Sequence, residues 1–271
     1  MRKTKDSRRH LSSMSVHPTA IIDPRAKVHA TCNVGPYCVV GADVELGEGC
    51  TLASHVAIEG PSKIGDHNSF FPFCAIGMAP QDVTYKGEST RLEMGDHNEI
   101  REFVTINRGT VKGGGVTRVG SHILLMAYAH IGHDSSVADR AMLVNGATLG
   151  GHATVEEWAV VGALSAVHQF VRVGTHSYIG GGAMITQDVL PFSVTSAARD
   201  NRAYGLNKVG LERRGFPKER IRRIQQAYKV LLTSKRNTTQ ALEKLKSEPD
   251  RGQDVDMLIR FIEASERGVI K

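Results

Sequence analysis

The sequence predicts an all-β chain wound into a hexapeptide-repeat parallel β-helix, followed by a C-terminal α-helical domain. Three observations carry this reading. Large apolar residues recur at every sixth position over most of the first 191 residues. A small or β-branched residue stands four positions after most of them. Beyond Pro191 the period of six stops, and apolar residues fall at helical spacing instead.

The hexads run without a miss from Val16 through Ile22, Val28, Val34, Val40, Leu46, Leu52, Ile58, Ile64 and Phe70 to Ile76. They return at Met94, Ile100 and Ile106 and, after a slip in phase, continue from Val119 to Ile185. Neither an α-helix, with a period of about 3.6, nor a simple alternating strand produces this spacing. A coil that turns a corner every six residues does. Each side sends one large and one small side chain inward, and three sides close a turn of about 18 residues. Glycine directly after the large residue, as at Gly35, Gly41, Gly132, Gly150 and Gly162, is expected to supply the unusual backbone angles of the corners. Cys32, Cys38, Cys50 and Cys74 all occupy the small inward position. They read as buried, reduced, small apolar side chains rather than ligands or disulfide partners.

Two stretches, residues 78–93 and 109–118, lack the period and are too polar for a core, so they are expected to project as loops from one corner of the solenoid. The repeat domain is therefore placed at 16–191 and the helical domain at 192–271. Within the latter, Pro217 suits a first helical turn, with Ile221, Ile224, Tyr228 and Leu231 following on one face. A second helix is expected near Thr239–Leu245 and a third from about Asp254, burying Val255, Leu258, Ile259 and Ile262. These helices would cover the open end of the β-helix, where the last coil leaves unpaired backbone groups.

The basic start, residues 1–15, has no apolar stretch behind it and reads as a disordered lead-in rather than a secretory signal, with Met14 as an alternative initiator. No run of about 18 apolar residues occurs, so no membrane span is expected. The formal charge of +6 is concentrated after the repeats: between Arg199 and Arg236, twelve Lys or Arg face only Asp200, Glu212 and Glu219. Such a tail suits an acidic partner.

The stretch AHIGHD, Ala129 to Asp134, is where chemistry enters. Positions about 18 apart stack at strand spacing, roughly 4.8 Å. His133 is thus placed beneath Gly151 and Asp134 beneath His152, on a corner and pointing outward; His168 and Gln169 follow one coil on. An imidazole beside a carboxylate is a general base in the making. The N–H of Gly151, unscreened by a side chain, suits a developing oxyanion. Chance clustering of polar residues on exposed corners is the bland alternative, opposed by the grouping of His130, His133, Asp134, His152 and His168 on adjacent coils. A zinc site of the catalytic kind needs three convergent ligands. His130 and His133 leave the prism from different parts of their hexads, so no metal is expected, with zinc shared between subunits left as the alternative.

The motifs HIGHD, LGGH, AVHQF, INRGT with GGGVT, and GLERRGF, in order on a hexapeptide helix, closely resemble those of the UDP-N-acetylglucosamine O-acyltransferases, which open lipid A synthesis. The likeness runs from about Ser15 to the end of the chain. It implies a left-handed β-helix, a homotrimer with active sites between subunits, and a cytoplasmic location. It also implies transfer of an (R)-3-hydroxyacyl chain from acyl carrier protein to the glucosamine 3-hydroxyl of UDP-N-acetylglucosamine. No cofactor is implied beyond the phosphopantetheine that carries the acyl donor, and no nucleic-acid partner. Carried over residue by residue, His133 is the general base, Asp134 its orienting acid and Gly151 the oxyanion donor. Asp82, His130, His152, His168 and Gln169 match sugar-nucleotide or acyl contacts. Gly181 matches the position that sets acyl length. Asn207, Arg213 and Arg214 match the region meeting the nucleotide and the phosphopantetheine.

The chain departs from the family in three places: Thr84 where members carry Lys, with Lys86 nearby; Asn107 where some have His; and Val209 where some have Glu. These leave open whether the acceptor bears a 3-hydroxyl or a 3-amine. Rival readings are the related enzyme that acylates the glucosamine 2-amine, a zinc-dependent carbonic-anhydrase-type β-helix, and a non-catalytic scaffold. The first usually carries an additional N-terminal domain, for which hexads beginning at Val16 leave no room.

Overall fold

The computed structural model describes residues 15–196, 202–234 and 236–271. Of the lead-in expected over residues 1–15, all but Ser15 lies outside these residues, and Ser15 already pairs with Asn33 as strand. The repeats form short parallel strands that stack into three sheets of eleven, nine and eight strands, one per side of a triangular prism. We number the sides in chain order, beginning with Ser15–Val16, Ile21–Ile22 and Lys27–Val28. Corners one, two and three follow sides one, two and three.

The inward column on the second side shows how the register is held. Ile106, Ile131, Leu149, Val167 and Ile185 stack on one another, all buried, and join a core that runs the length of the prism. Burying each such aliphatic side chain contributes about 1.5–3 kcal/mol. The four cysteines lie free in the same core, and burial pushes the Cys74 thiol up to about 12.

The glycines play a different part from the one expected. The left-handed conformation falls on the third residue after the large apolar one, at Tyr37, His55, His67, Asp134, His152 and Trp158 among others. The glycines directly after the large residue are there because the next coil passes too close: a Cβ at Gly35 would lie 2.4 Å from the Ala53 oxygen, and one at Gly162 2.3 Å from that of Ile179. Spacing between coils, not backbone freedom, selects them.

The two interruptions lengthen their coils to 30 and 25 residues. Their ends are strand rather than loop. Arg91–Met94 and Val116–Val119 pair with each other, and Leu92 and Thr117 are buried. Both segments leave from the second corner, between Met78 and Arg91 and between Asn107 and Val116.

Past the last coil, the start of the expected helical domain is strand where it is described. Ser193–Ser196 and Arg202–Leu206 form an antiparallel pair extending the first sheet. A short helix that the sequence reading did not anticipate, α1 (Lys208–Arg213), comes next, capped by Asn207. Helices α2 (Lys218–Tyr228, starting after Pro217 and running on into one π-helical turn), α3 (Thr238–Lys246) and α4 (Gln253–Glu263) lie where the spacing put them. Their apolar faces bury Ile221, Ile224, Leu231, Val255, Leu258 and Ile262 together with Leu190 and Phe192 from the end of the prism. The chain then returns to the last coil: the Ile270 N–H donates to the Asp188 carbonyl, the Asp188 N–H donates to that of Gly268, and Ile270 enters the prism core. Among the described residues no helix is long and apolar enough to cross a membrane.

His176, on the third corner, ties prism to helices. Its ring faces Trp158 and Phe192 and meets Phe216 edge-on. Its Nδ1 accepts from the Arg214 guanidinium at 3.3 Å. Burial, and then the charges of Arg214 and Arg220, push its pKa from 6.5 down to about 4. Above pH 6.5 the ring is neutral in both folded and unfolded chains and contributes no pH dependence. As pH falls from 6.5 to about 4 the unfolded chain takes up a proton that the folded one refuses, so stability is lost across that window. Urea midpoints measured between pH 7.5 and 4 should fall less steeply for His176→Gln, which retains an acceptor for Arg214; an unchanged slope would remove His176 as a contributor.

Candidate active site

The coil bearing His133 follows directly on the two that carry the loops, at the same second corner. Thr110, at the root of the second loop, fixes the Asp134 carboxylate: its N–H donates to Oδ1 at 2.8 Å and its hydroxyl to Oδ2 at 2.7 Å. The Asp134 N–H in turn donates to the Thr117 hydroxyl at 2.8 Å. Asp134 is thus not an outward corner residue. Its side chain is wholly buried, because loop two folds over it, with Gly113 so close that a Cβ there would strike the carboxyl group.

His133 Nδ1 lies 2.8 Å from Asp134 Oδ2. A carboxylate only accepts, so Nδ1 carries the proton and Nε2 presents its lone pair. The imidazole lies against Gly151 of the next coil, whose Cβ, if it had one, would sit 2.6 Å from Cε1 and 2.8 Å from Nε2. Among the described residues the Gly151 N–H has no protein acceptor. The arrangement can therefore abstract a proton at Nε2 and offer an N–H donor beside it.

His152 stands edge-on to His133, its Nε2 3.6 Å from Asp134 Oδ2, and stacks on Phe170 at 4.4 Å. His130 points from the flat second side and shares a 2.7 Å hydrogen bond with Thr105; burial, then the charge of His133, holds its pKa below the ordinary histidine value. His168 and Gln169 are exposed one coil further on, the His168 Nδ1 donating to the Gln169 carbonyl at 3.2 Å. From loop one, the Asp82 carboxylate accepts from the Thr84 N–H and hydroxyl, which hold it below the usual carboxylate range, helped by the charges of Lys112 and His133. Lys112 of loop two donates to Thr84 at 2.9 Å, so the loops clasp each other across the corner. Arg108 braces loop one through the Gly77 carbonyl and the Tyr85 hydroxyl.

Not every expected residue joins this group. Gly181 lies on the first corner, against Ala163, at the other end of the second side from His133. Asn207, Arg213 and Arg214 belong to the third corner. Asn207 is nearly buried, capping α1 and donating to the His176 carbonyl, and Arg214 is held by His176 and the Trp158 carbonyl. Only Arg213 of the three is an exposed charge without a partner among the described residues. Conversely, Thr110, Thr117 and Gly113 contact Asp134, and Phe170 contacts His152, though the sequence reading gave these four no role. All four sit inside the motifs INRGT, GGGVT and AVHQF. Of the departures, Asn107 is buried, with its amide donating to the Ala79 carbonyl and its Oδ1 lacking a protein partner.

His133, Asp134 and His152 also make the one trio of His, Cys, Asp or Glu among the described residues whose ligand atoms all lie within 4.8 Å of one another. Asp134 Oδ2 already accepts from both His133 and Thr110. That is the donor–acceptor pattern of an oriented base, and a cation there would have to displace it.

Residues 188–270 match the protein family described as UDP N-acetylglucosamine O-acyltransferase, domain 2, and residues 25–60 match bacterial transferase hexapeptide repeats. The crystal structure of UDP-N-acetylglucosamine O-acyltransferase from Moraxella catarrhalis is 40% identical, covers 94% of this chain and 99% of its own, and superposes with a TM-score of 0.90. The chain belongs to the UDP-N-acetylglucosamine O-acyltransferase family. With membership come the left-handed winding and helical C-terminal part expected from the sequence. UDP-N-acetylglucosamine acyltransferase from Francisella novicida is 37% identical over 94% of this chain and 93% of that one, with a TM-score of 0.92. The enzyme from Arabidopsis is 30% identical over 94% of this chain and all of its own, with a TM-score of 0.82.

Gly151→Ala tests the closeness of the stack. A methyl group there cannot coexist with the His133 ring where it lies, so the imidazole must swing away from the position Asp134 gives it. Acyl transfer should fall about 10²-fold or more, within the range for losing a general base, while circular dichroism and melting temperature stay close to those of the parent protein. Full activity in the alanine variant would show that this contact does not matter.

Proposed function

We propose that the chain transfers an (R)-3-hydroxyacyl group from acyl carrier protein to the 3-hydroxyl of UDP-N-acetylglucosamine, with His133 as general base. The observation that carries the proposal is the His133 imidazole, fixed by the buried Asp134 carboxylate and lying against Gly151. Nε2 of His133 takes the hydroxyl proton as the oxygen attacks the thioester carbonyl. The Gly151 N–H lies ready for the oxyanion that develops. Collapse expels the phosphopantetheine thiolate, which recovers the proton from the imidazolium. Asp134 keeps Nδ1 protonated and stabilises the cation while it lasts. No further cofactor is required.

Asp82, His130, His152, His168 and Gln169 surround the corner and suit sugar-nucleotide and acyl contacts. Gly181, Asn207, Arg213 and Arg214 lie on other corners, which supports a homotrimer in which a neighbouring subunit completes each site. Exposed Arg213, in the basic tail, suits phosphate of the nucleotide or of the carrier protein's prosthetic group.

The deciding experiment incubates the protein with UDP-N-acetylglucosamine, its 3-amino analogue and a series of 3-hydroxyacyl carrier proteins, with product mass as readout. We expect the O-acyl product with a long-chain donor, and His133→Ala to reduce transfer about 10²–10⁴-fold without loss of fold. No product from either acceptor would overturn the proposal. A zinc-dependent reading rests on the His133–Asp134–His152 group alone; transfer that survives chelation, by protein free of bound metal, rules it out.

Gly181→Met should move donor preference to shorter chains. Room lost for two methylenes at about 0.8 kcal/mol each amounts to roughly ten-fold in selectivity. Its Cβ would meet the Ala163 carbonyl oxygen at 3.1 Å, so the fold is checked alongside. Unchanged selectivity in a folded variant would remove Gly181 from the acyl path.

A further inference from the structure

The third corner, at the other end of the third side from the His133 corner, carries a second histidine group. His67, His97 and His122 hold the left-handed corner position of three successive coils. Their rings form one column, with centroids 5.0 and 5.1 Å apart and planes within 21° and 4° of parallel. All three are exposed, and no ring nitrogen has a hydrogen-bond partner among the described residues.

The backbone beneath is fixed on both sides of each ring. Before the rings, Asp66 Oδ1 accepts from the Glu48 N–H, Asp96 Oδ1 from the Asp66 N–H, and the Ser121 hydroxyl from the Asp96 N–H. After them, buried Asn68 and Asn98 bridge coil to coil: Asn68 donates to the Gly65 and Gly95 carbonyls, and Asn98 to that of Gly120. The repeated GDHN, at 65–68 and 95–98, is the sequence form of this device. Stacking alone does not explain three imidazoles. On the first corner the equivalent column runs Tyr37, His55, Phe73, Phe103 and Tyr128, so carbon rings stack at the same 4.8–5.0 Å. Acidic Glu48, Asp66, Asp96 and Asp139 flank the column, with Lys63 and Arg118 on the adjoining third side. Arg140, next along the corner, is turned to Glu157 and Trp158.

We propose that His67, His97 and His122 form a surface site for a divalent transition-metal ion of the zinc, nickel or copper class. Neutral imidazole is the side chain these ions favour. Ligand bonds of about 2.0–2.1 Å need two ring nitrogens brought closer than the stacked spacing, which a tilt of exposed rings about their side-chain torsions provides. Water completes the shell. Because His97 belongs to both neighbouring pairs, the column holds one ion per chain, and its central and outer members are unequal.

Calorimetric titration of the whole protein with Zn²⁺, Ni²⁺ and Cu²⁺ at neutral pH tests this. One ion should bind per chain, and binding should fade on acidification, as protons compete for imidazole. His97→Gln should abolish it. His67→Gln or His122→Gln, each leaving one pair intact, should weaken it about two-fold, the statistical factor. Copper electron paramagnetic resonance should show coupling to two nitrogens, lost in His97→Gln, with acyl transfer unchanged. Binding that persists in His97→Gln but disappears in His152→Gln would put the ion at the other histidine group and overturn the proposal. So would no binding at all, leaving the column as stacked rings only.

Discussion

The hydrogen bond from each coil to the next sets a distance on which the rest of the structure depends. His130 donates to Ala147, Gly132 to Leu149, and Gly150 to Val167, all near 2.9 Å, and the pattern holds the coils at strand spacing. At that spacing nothing larger than hydrogen fits between certain positions of adjacent coils. Gly35 and Gly162 meet that limit in the frame, and Gly151 meets it in the site. The same closeness that packs the prism lays the His133 imidazole against the Gly151 backbone. The geometry of the proposed site is a by-product of coil geometry, needing only that the right residues fall in register.

Orientation is added from outside the repeat. A histidine on a corner rotates freely unless something holds it. Asp134 does so because it is itself buried and bonded to Thr110, a residue of the second loop. The loops therefore do more than wall a cleft. They convert a corner carboxylate into a buried, fully hydrogen-bonded one, and Lys112 links them through Thr84 to Asp82. An exposed pair of the same residues would compete with water for every one of these contacts.

The corners also divide the prism by chemistry. The first presents a column of mainly carbon rings, the second His133, His152 and both loops, and the third stacked imidazoles that give way to the Trp158–His176–Phe216 junction with the helices. The columns form because the third residue after the inward one takes the left-handed conformation on most coils. A neighbouring copy or a ligand thus meets one kind of surface along a whole edge.

The periodic part of the molecule was legible in the sequence. A period of six with large residues inward admits one backbone, and register then follows by counting, which is why His133 and Gly151 could be paired beforehand. Helices α2 to α4 were legible from the spacing of Ile221, Ile224, Val255 and Leu258. Counting fails where the chain leaves the period. The partners of Asp134 come from a loop whose path depends on contacts, not on repeat, so its burial was misjudged. Arg214 and Asn207 look like free ligands in a basic tail, yet His176 and Trp158, far apart from them in sequence, engage both. Gly181, matched only by resemblance to the position that sets acyl length, lies on a different corner from His133. Sequence alone determined what stacks on what, because stacking is periodic. Tertiary structure decided which side chains are already satisfied and which remain free for substrate, because hydrogen-bond partners are found across space.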